Sequence, residues 1–220
     1  MVIVLDASHG GLDSGSRISD ATLEKDVTLA LAFRLRSLLI ARGFSVVMTR
    51  DADAPTEPNA TRNPITLDDR AGIANHARAS ACLLLHATGS GNGVHLYSSE
   101  LSSVPTEPRP LPWLTAQAAW IAQSEQLKQN VASALTRAGL SLVTSNASVR
   151  PVDSLTCPAL VVEIAPENGR PDSIMDAGYQ QRVSIAIAGA MVFWPNQVQA
   201  PMRSLTPIPD KASPSEGTPP

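Results

Sequence analysis

Four residues far apart in the chain carry side chains suited to chemistry: His9, Glu24, His86 and Glu163. His9 follows a short apolar run, in Asp6-Ala7-Ser8-His9-Gly10-Gly11; His86 directly follows Ala81–Leu85, and Glu163 interrupts Ala159–Ile164. Glu24 stands where a long amphipathic segment begins. Two imidazoles and one carboxylate are a common ligand set for a catalytic zinc ion, which keeps a fourth position for water. A second carboxylate beside that water can take its proton, and glycines behind His9 let the backbone pass close to a metal or substrate. No local motif such as His-Glu-x-x-His joins the four, and each has a plainer reading. His9 could be a loop histidine and His86 a hydrogen-bonded strand-end residue, while Glu24 suits the positive end of a helix. Glu163 is the sharpest case, because a carboxylate buried without a partner costs several kcal/mol. It must have a partner, and a metal-bound water is one.

The elements that must position these residues alternate. Val2–Leu5 reads as a buried strand and Lys25–Arg42 as a helix, with Val27, Leu31, Leu35 and Leu38 or Leu39 at helical spacing and Gly43 as its stop. Phe44–Thr49 is a second strand and Asp51–Pro64 a polar loop. Thr66 caps a helix running to about Arg78, with Asp69 three residues on. Strands follow at Ala81–Leu85 and Val94–Tyr97, then an irregular Pro- and Ser-rich stretch, Ser98–Pro112. A single long helix is expected over Thr115–Ala138, a short strand near Leu142–Thr144, a buried strand at Ala159–Ile164 and a last helix at Asp176–Phe193. This order predicts one α/β domain over residues 1–195, with a largely parallel, mixed central sheet and helices on both faces. In such folds ligands sit beyond the carboxyl ends of the strands, which gathers the four residues on one edge. From 196 to 220 the composition turns to Pro, Ser and Thr, as in a linker or tail.

Other reactive residues read as bystanders. His76 is expected on the surface of its helix. His95 alternates with Val94 and Leu96, so it points away from the face they bury and borders the cleft without being a ligand. Glu167, past its strand, is a competitor to Glu163 expected to be exposed. Cys82, within an apolar run, reads as a small buried free thiol, and Cys157 shows no base to activate it. The net charge of −3, the lack of a basic run and 4% aromatic content argue against nucleic-acid binding. No apolar run reaches the roughly 18 residues that a membrane span needs. No signal peptide is expected, because the chain enters a strand almost at once.

Taken in order, the blocks of this sequence resemble the zinc-dependent N-acetylmuramoyl-L-alanine amidases that open on Asp-Pro-Gly-His-Gly-Gly. Here the opening is Asp6-Ala7-Ser8-His9-Gly10-Gly11, followed by Asp13 and Gly15. Glu24-Lys25-Asp26, Arg42-Gly43-Phe44 through Thr49-Arg50, Arg70-Ala71-Gly72-Ile73-Ala74-Asn75, His86 and Val162-Glu163-Ile164 with Asn168 come next, in family order and spacing. The sequence departs at Ala7 and Ser8 (usually Pro and Gly), at Thr88 (usually Asn) and at Ala165-Pro166-Glu167 (usually Gly-Phe-Leu).

The resemblance implies zinc on His9, Glu24 and His86 and a catalytic acid/base in Glu163. It implies cleavage of the amide between N-acetylmuramic acid and L-alanine in peptidoglycan, and therefore a periplasmic or other extracytoplasmic site of action. Partners expected are the muramyl peptide substrate and an activator protein, and the chain is expected to be a monomer. In some members an insertion covers the metal until a partner withdraws it; over residues 98–123 a substrate-facing flap or plain connector is the expectation, in preference to a metal-blocking segment that would reach the zinc through Glu100, Glu107 or Glu125. Asp6 is a candidate to orient the histidines. Two rival readings use the same residues: a zinc peptidase acting within the stem peptide, and a non-catalytic wall-binding or regulatory module.

Overall fold

The structure, a computed structural model, describes residues 1–53, 65–103 and 111–194. Most of the expected loop 51–64, Glu107 and the Pro-rich tail lie outside the described residues. The elements in chain order are β1 (Val2–Ala7), β2 (Arg17–Ser19), β3 (Thr22–Leu23), α1 (Glu24–Ile40), β4 (Ser45–Met48), α2 (Leu67–His76), β5 (Ala81–Ala87), β6 (Val94–Ser98), α3 (Ile121–Arg137), β7 (Leu142–Asn146), β8 (Ala159–Ile164) and α4 (Ala177–Phe193). Short 3₁₀ turns lie at Trp113–Ala119, Val152–Ser154 and Pro171–Met175.

Six strands form one sheet in the order β4-β1-β5-β8-β6-β7, and β2 and β3 make a separate two-stranded piece. Neighbours pair in parallel except β6 with β8, which is antiparallel. The sheet is therefore mixed and mostly parallel, as expected. The central strands read as near-continuous apolar runs because both of their faces are covered. On one face Ile3, Leu5, Leu83, Leu85, Leu160 and Val162 pack against Leu31 and Leu35 of α1, Leu127 and Val131 of α3, and Val183 and Ile187 of α4. On the other, Val4, Leu84 and Val161 meet Ala71 and Ala74 of α2, with Val152 and Leu155.

The capping residues behave as their chemistry demands. Thr66 and Asp69 form a reciprocal capping box at the start of α2. Asp176 accepts the Tyr179 N–H at 2.7 Å and starts α4. α1 begins one residue earlier than expected, so Glu24 is its first residue. β5 runs on to Ala87, so His86 lies within the strand rather than just past it.

Two expectations are corrected, and one short element, β2–β3, was not foreseen. The long helix over Thr115–Ala138 is interrupted: a 3₁₀ turn ends at Trp120 (φ −121°, ψ 5°), and α3 begins at Ile121. Gln117 explains the break, since its buried amide donates to the Leu155 and Cys157 carbonyls at 2.9 and 3.0 Å and accepts from Ser124 Oγ at 2.6 Å. That tie to a distant segment leaves no mark in the local sequence. The β2–β3 piece is too short to show a period. Finally, Cys82 and Cys157 are not free: they form a disulfide across 75 residues, with Cα atoms 6.2 Å apart. Cys82 lies in β5 and Cys157 just ahead of β8, and the pairing of these strands, with Cys82 opposite Ala159, brings the sulfurs together.

Candidate active site

His9 stands where β1 ends and the chain turns through left-handed backbone, with φ of 63° at His9 and 62° at Gly11. This is costly for a non-glycine residue, and three buried cations hold it. Arg70 Nη1 donates to the Ala7 carbonyl at 2.8 Å and Nη2 to the His9 carbonyl at 2.6 Å. Arg50 donates to the Ala7 and Ser8 carbonyls at 2.8 and 3.2 Å. Lys25 Nζ donates to the Gly11 carbonyl at 2.9 Å and pairs with Asp53 at 2.7 Å. Each cation sits against backbone oxygens that would otherwise be buried unpaired.

Glu24 reaches the same point from α1. Its Oε1 lies 3.3 Å from His9 Nε2 and 2.9 Å from His86 Nδ1, and accepts the Ala87 N–H at 3.2 Å. Its Oε2 accepts the Ser16 N–H at 2.8 Å. One potential ligand atom from each of His9, Glu24 and His86 lies within 4.8 Å of the other two. The two rings meet edge to face, with centroids 5.5 Å apart. Their outward nitrogens are held: His9 Nδ1 by Asp13 at 2.9 Å, His86 Nε2 by Ser8 Oγ at 2.9 Å. Ser8, a departure from the family pattern, thus gives His86 its outer partner.

Burial alone would favour a neutral Glu24, but the imidazoles of His86 and His9 and the Ser16 N–H outweigh it and hold the carboxyl far below its usual range. The hydrogen bond to Glu24, against the cost of burial and with help from Asp13, raises His9 above its usual value. A carboxylate only 3% exposed and faced by two imidazoles is a site organised around charge. Two neutral imidazoles and a carboxylate, with both rings fixed from behind, fit a zinc ion in donor type and in outer support.

Glu163 lies one strand away. It is the register partner of His86 on β5 and of His95 on β6, so the three share a face in one row across neighbouring strands about 5 Å apart. Its Oε2 lies 2.9 Å from His95 Nδ1 and accepts the Tyr97 hydroxyl at 3.2 Å. Glu163 thus has the partner that its apolar strand demands, and at one oxygen protein side chains, rather than a metal-bound water, supply it. His95 borders the cleft as the alternation implied, but its contact with Glu163 was not foreseen.

Asp6 does not touch the histidines. It pairs with Arg70 at 2.6 Å and accepts from Thr49 Oγ1 at 2.5 Å, so it acts on the His9 turn only through Arg70. Glu125 accepts from Ser98 Oγ and pairs with Lys128 at 2.9 Å, at the end of β6 away from His95. Glu100 is exposed, as is His76. Glu167 is partly buried rather than exposed, and pairs with Arg182. Sequence reading missed Ser8, Asp13 and Tyr97. Ser8 and Asp13 flank His9 in the chain, and Tyr97 shares the odd-numbered face of its strand with His95, which was the available signal.

Among known proteins, the chain is similar to N-acetylmuramoyl-L-alanine amidases. A germination-specific N-acetylmuramoyl-L-alanine amidase of Bacillus subtilis is 39% identical over 90 residues, covering 39% of this chain and 38% of that protein. N-acetylmuramoyl-L-alanine amidase AmiA of Escherichia coli is 36% identical over 91 residues, covering 41% and 28%. The matched region thus spans well under half the length of these relatives. In fold, the chain is similar to the CwlD amidase of Clostridioides difficile, solved in complex with the GerS lipoprotein (TM-score 0.69, 20% identity, 90% of this chain and 99% of that one). It is similar also to the catalytic domain of CwlV, an N-acetylmuramoyl-L-alanine amidase of Bacillus (Paenibacillus) polymyxa (TM-score 0.65, 24% identity, 89% and 98%). The Amidase_3 family model, described as N-acetylmuramoyl-L-alanine amidase, matches residues 3–192, and the chain belongs to that family.

Proposed function

We propose that this chain hydrolyses the amide between the lactyl group of N-acetylmuramic acid and the L-alanine of the peptidoglycan stem, with zinc held by His9, Glu24 and His86 and with Glu163 as acid/base. The observation that carries this reading is the row in which Glu163 stands in register beside His86, itself 2.9 Å from Glu24. A zinc ion bound there supplies Lewis acidity, polarising a carbonyl and lowering the pKa of water toward ~7. Glu163 takes the proton of the attacking water and delivers it to the L-alanine nitrogen as the carbon–nitrogen bond breaks. The products are a lactyl carboxylate and a free amine. Asp13 and Ser8 keep the two imidazoles turned inward while this happens. The substrate places the chain outside the cytoplasm, and the Cys82–Cys157 disulfide is of the kind that persists in oxidising compartments.

The test is release of stem peptides from purified sacculi. Chelation is expected to abolish release and zinc to restore it, and Glu163→Gln is expected to lower kcat by about 10²- to 10⁴-fold with bound zinc unchanged. Full activity in Glu163→Gln, or release that survives complete metal removal, contradicts the proposal.

A further inference from the structure

We infer that His95 and Tyr97 are positioning residues for Glu163: together they fix its carboxylate by one oxygen and leave the other to meet the reacting proton. The inference rests on the reading of Glu163 as the acid/base. Both groups converge on the same atom, Oε2, at 2.9 and 3.2 Å. A carboxylate oxygen only accepts, so Nδ1 is the protonated nitrogen of His95 in this contact. Oε1 accepts no hydrogen bond from the protein among the described residues.

Each positioning side chain is itself held. Val94 and Leu96 are fully buried in the core, so β6 cannot rotate about its axis, and the odd-numbered side chains are committed to the face that carries Glu163. Tyr97 meets His95 edge to face, with ring centroids 6.5 Å apart. Gly91 closes the far side of the imidazole. A Cβ there would stand 2.7 Å from His95 Cε1 and 3.0 Å from Nε2, and φ at Gly91 is +85°. Only glycine lets this backbone lie against the ring. Burial and the Glu163 charge raise the Tyr97 phenol above its usual value, which keeps it a donor. Donor, ring and loop thus restrict one carboxylate, and small misplacements of a reacting group are costly to rate.

The effect should be on kcat, because neither residue is assigned a contact with substrate or metal. Three variants and Glu163→Gln are compared on a soluble muramyl peptide, with zinc content and thermal midpoint measured beside the kinetics. His95→Leu removes the donor; kcat is expected to fall about 10- to 100-fold, with KM and zinc content unchanged. His95→Asn places an amide nitrogen close to where Nδ1 stands, and kcat is expected to recover to within about 5-fold of the parent. Tyr97→Phe, which leaves His95 in place, is expected to cost a few-fold. A purely structural role would move the midpoint and not distinguish Asn from Leu. An unchanged kcat in His95→Leu, equal losses in Leu and Asn, or a change confined to KM or zinc content overturns the inference. If His95→Leu does not fold, His95→Asn against Tyr97→Phe decides: a kcat more than 10-fold below the parent in the Asn variant overturns it. An active Glu163→Gln sinks the acid/base reading itself; an inactive Glu163→Gln beside an unaffected His95→Leu sinks only the positioning role.

Discussion

Arg50, Arg70 and Lys25 are 7%, 4% and 9% exposed, and all three point at backbone carbonyls around a candidate ligand. Their residue types gave no hint of this: a cation in a helix or after a strand looks like surface charge until the tertiary structure buries it. His9, His86 and Glu163 were legible for the opposite reason, since each sits in or beside an apolar run that makes a polar side chain conspicuous, whereas Glu24, next to Lys25 and Asp26, stood out chiefly through the family resemblance. The hold on the His9 turn includes Asp53, which accepts the Gly11 N–H at 2.6 Å and pairs with Lys25. Burial favours its neutral form, but the Gly11 N–H and the Lys25 ammonium outweigh it and lower the carboxyl below its ordinary 3.8. A group depressed in this way stabilises the fold fully above the unfolded value and loses that contribution as pH falls through the folded one. The thermal midpoint of Asp53→Asn should therefore lie below the parent's at pH 6 to 7, and the gap should close as pH drops below about 3.8. A gap that persists unchanged at pH 2 to 3 would show that Asp53 acts through packing, not charge.

At the scale of elements, the site is built where β1, β5 and β8 end and α1 begins. The three strands were legible because burial on both faces leaves long apolar runs, and α1 because its apolar residues recur at 3.6-residue spacing. Their order across the sheet was not, because pairing is a long-range property. That order is what sets Glu163 between His86 and His95, and what joins two cysteines that look unrelated in sequence. The turn from β1 to α1 has its own constraint at Gly15, where φ is +64° and a Cβ would lie 2.7 Å from both Glu24 Oε2 and His9 Cδ2. Gly15→Ala should therefore push apart two of the three candidate ligands. Zinc affinity measured by competition with a chelating dye is expected to fall at least 10-fold, with the thermal midpoint of the metal-free protein lowered as well. Parent-like zinc affinity in this variant would mean that the His9 turn has more freedom than its contacts suggest.

For the whole molecule, the disulfide closes a loop of 75 residues between the strand carrying His86 and the segment leading to the strand carrying Glu163. By loop entropy such a link is worth on the order of 4 kcal/mol. Reducing it should lower the denaturation midpoint by a matching amount, and Cys82→Ala with Cys157→Ala should reproduce the loss and make the protein insensitive to reductant. A midpoint indifferent to reductant in the parent would remove the disulfide from the account and with it one support for an oxidising compartment. Among the described residues no helix is long and apolar enough to cross a membrane. The central claim, hydrolysis of the amide that joins muramic acid to L-alanine, is tested most directly by mass analysis of what the zinc-loaded protein releases from purified sacculi. The account predicts intact stem peptides with a free L-alanine amine, and glycan strands whose lactyl groups end in carboxylate. Stem fragments cut internally, with L-alanine still attached to muramic acid, or binding to sacculi without any released product, would contradict it.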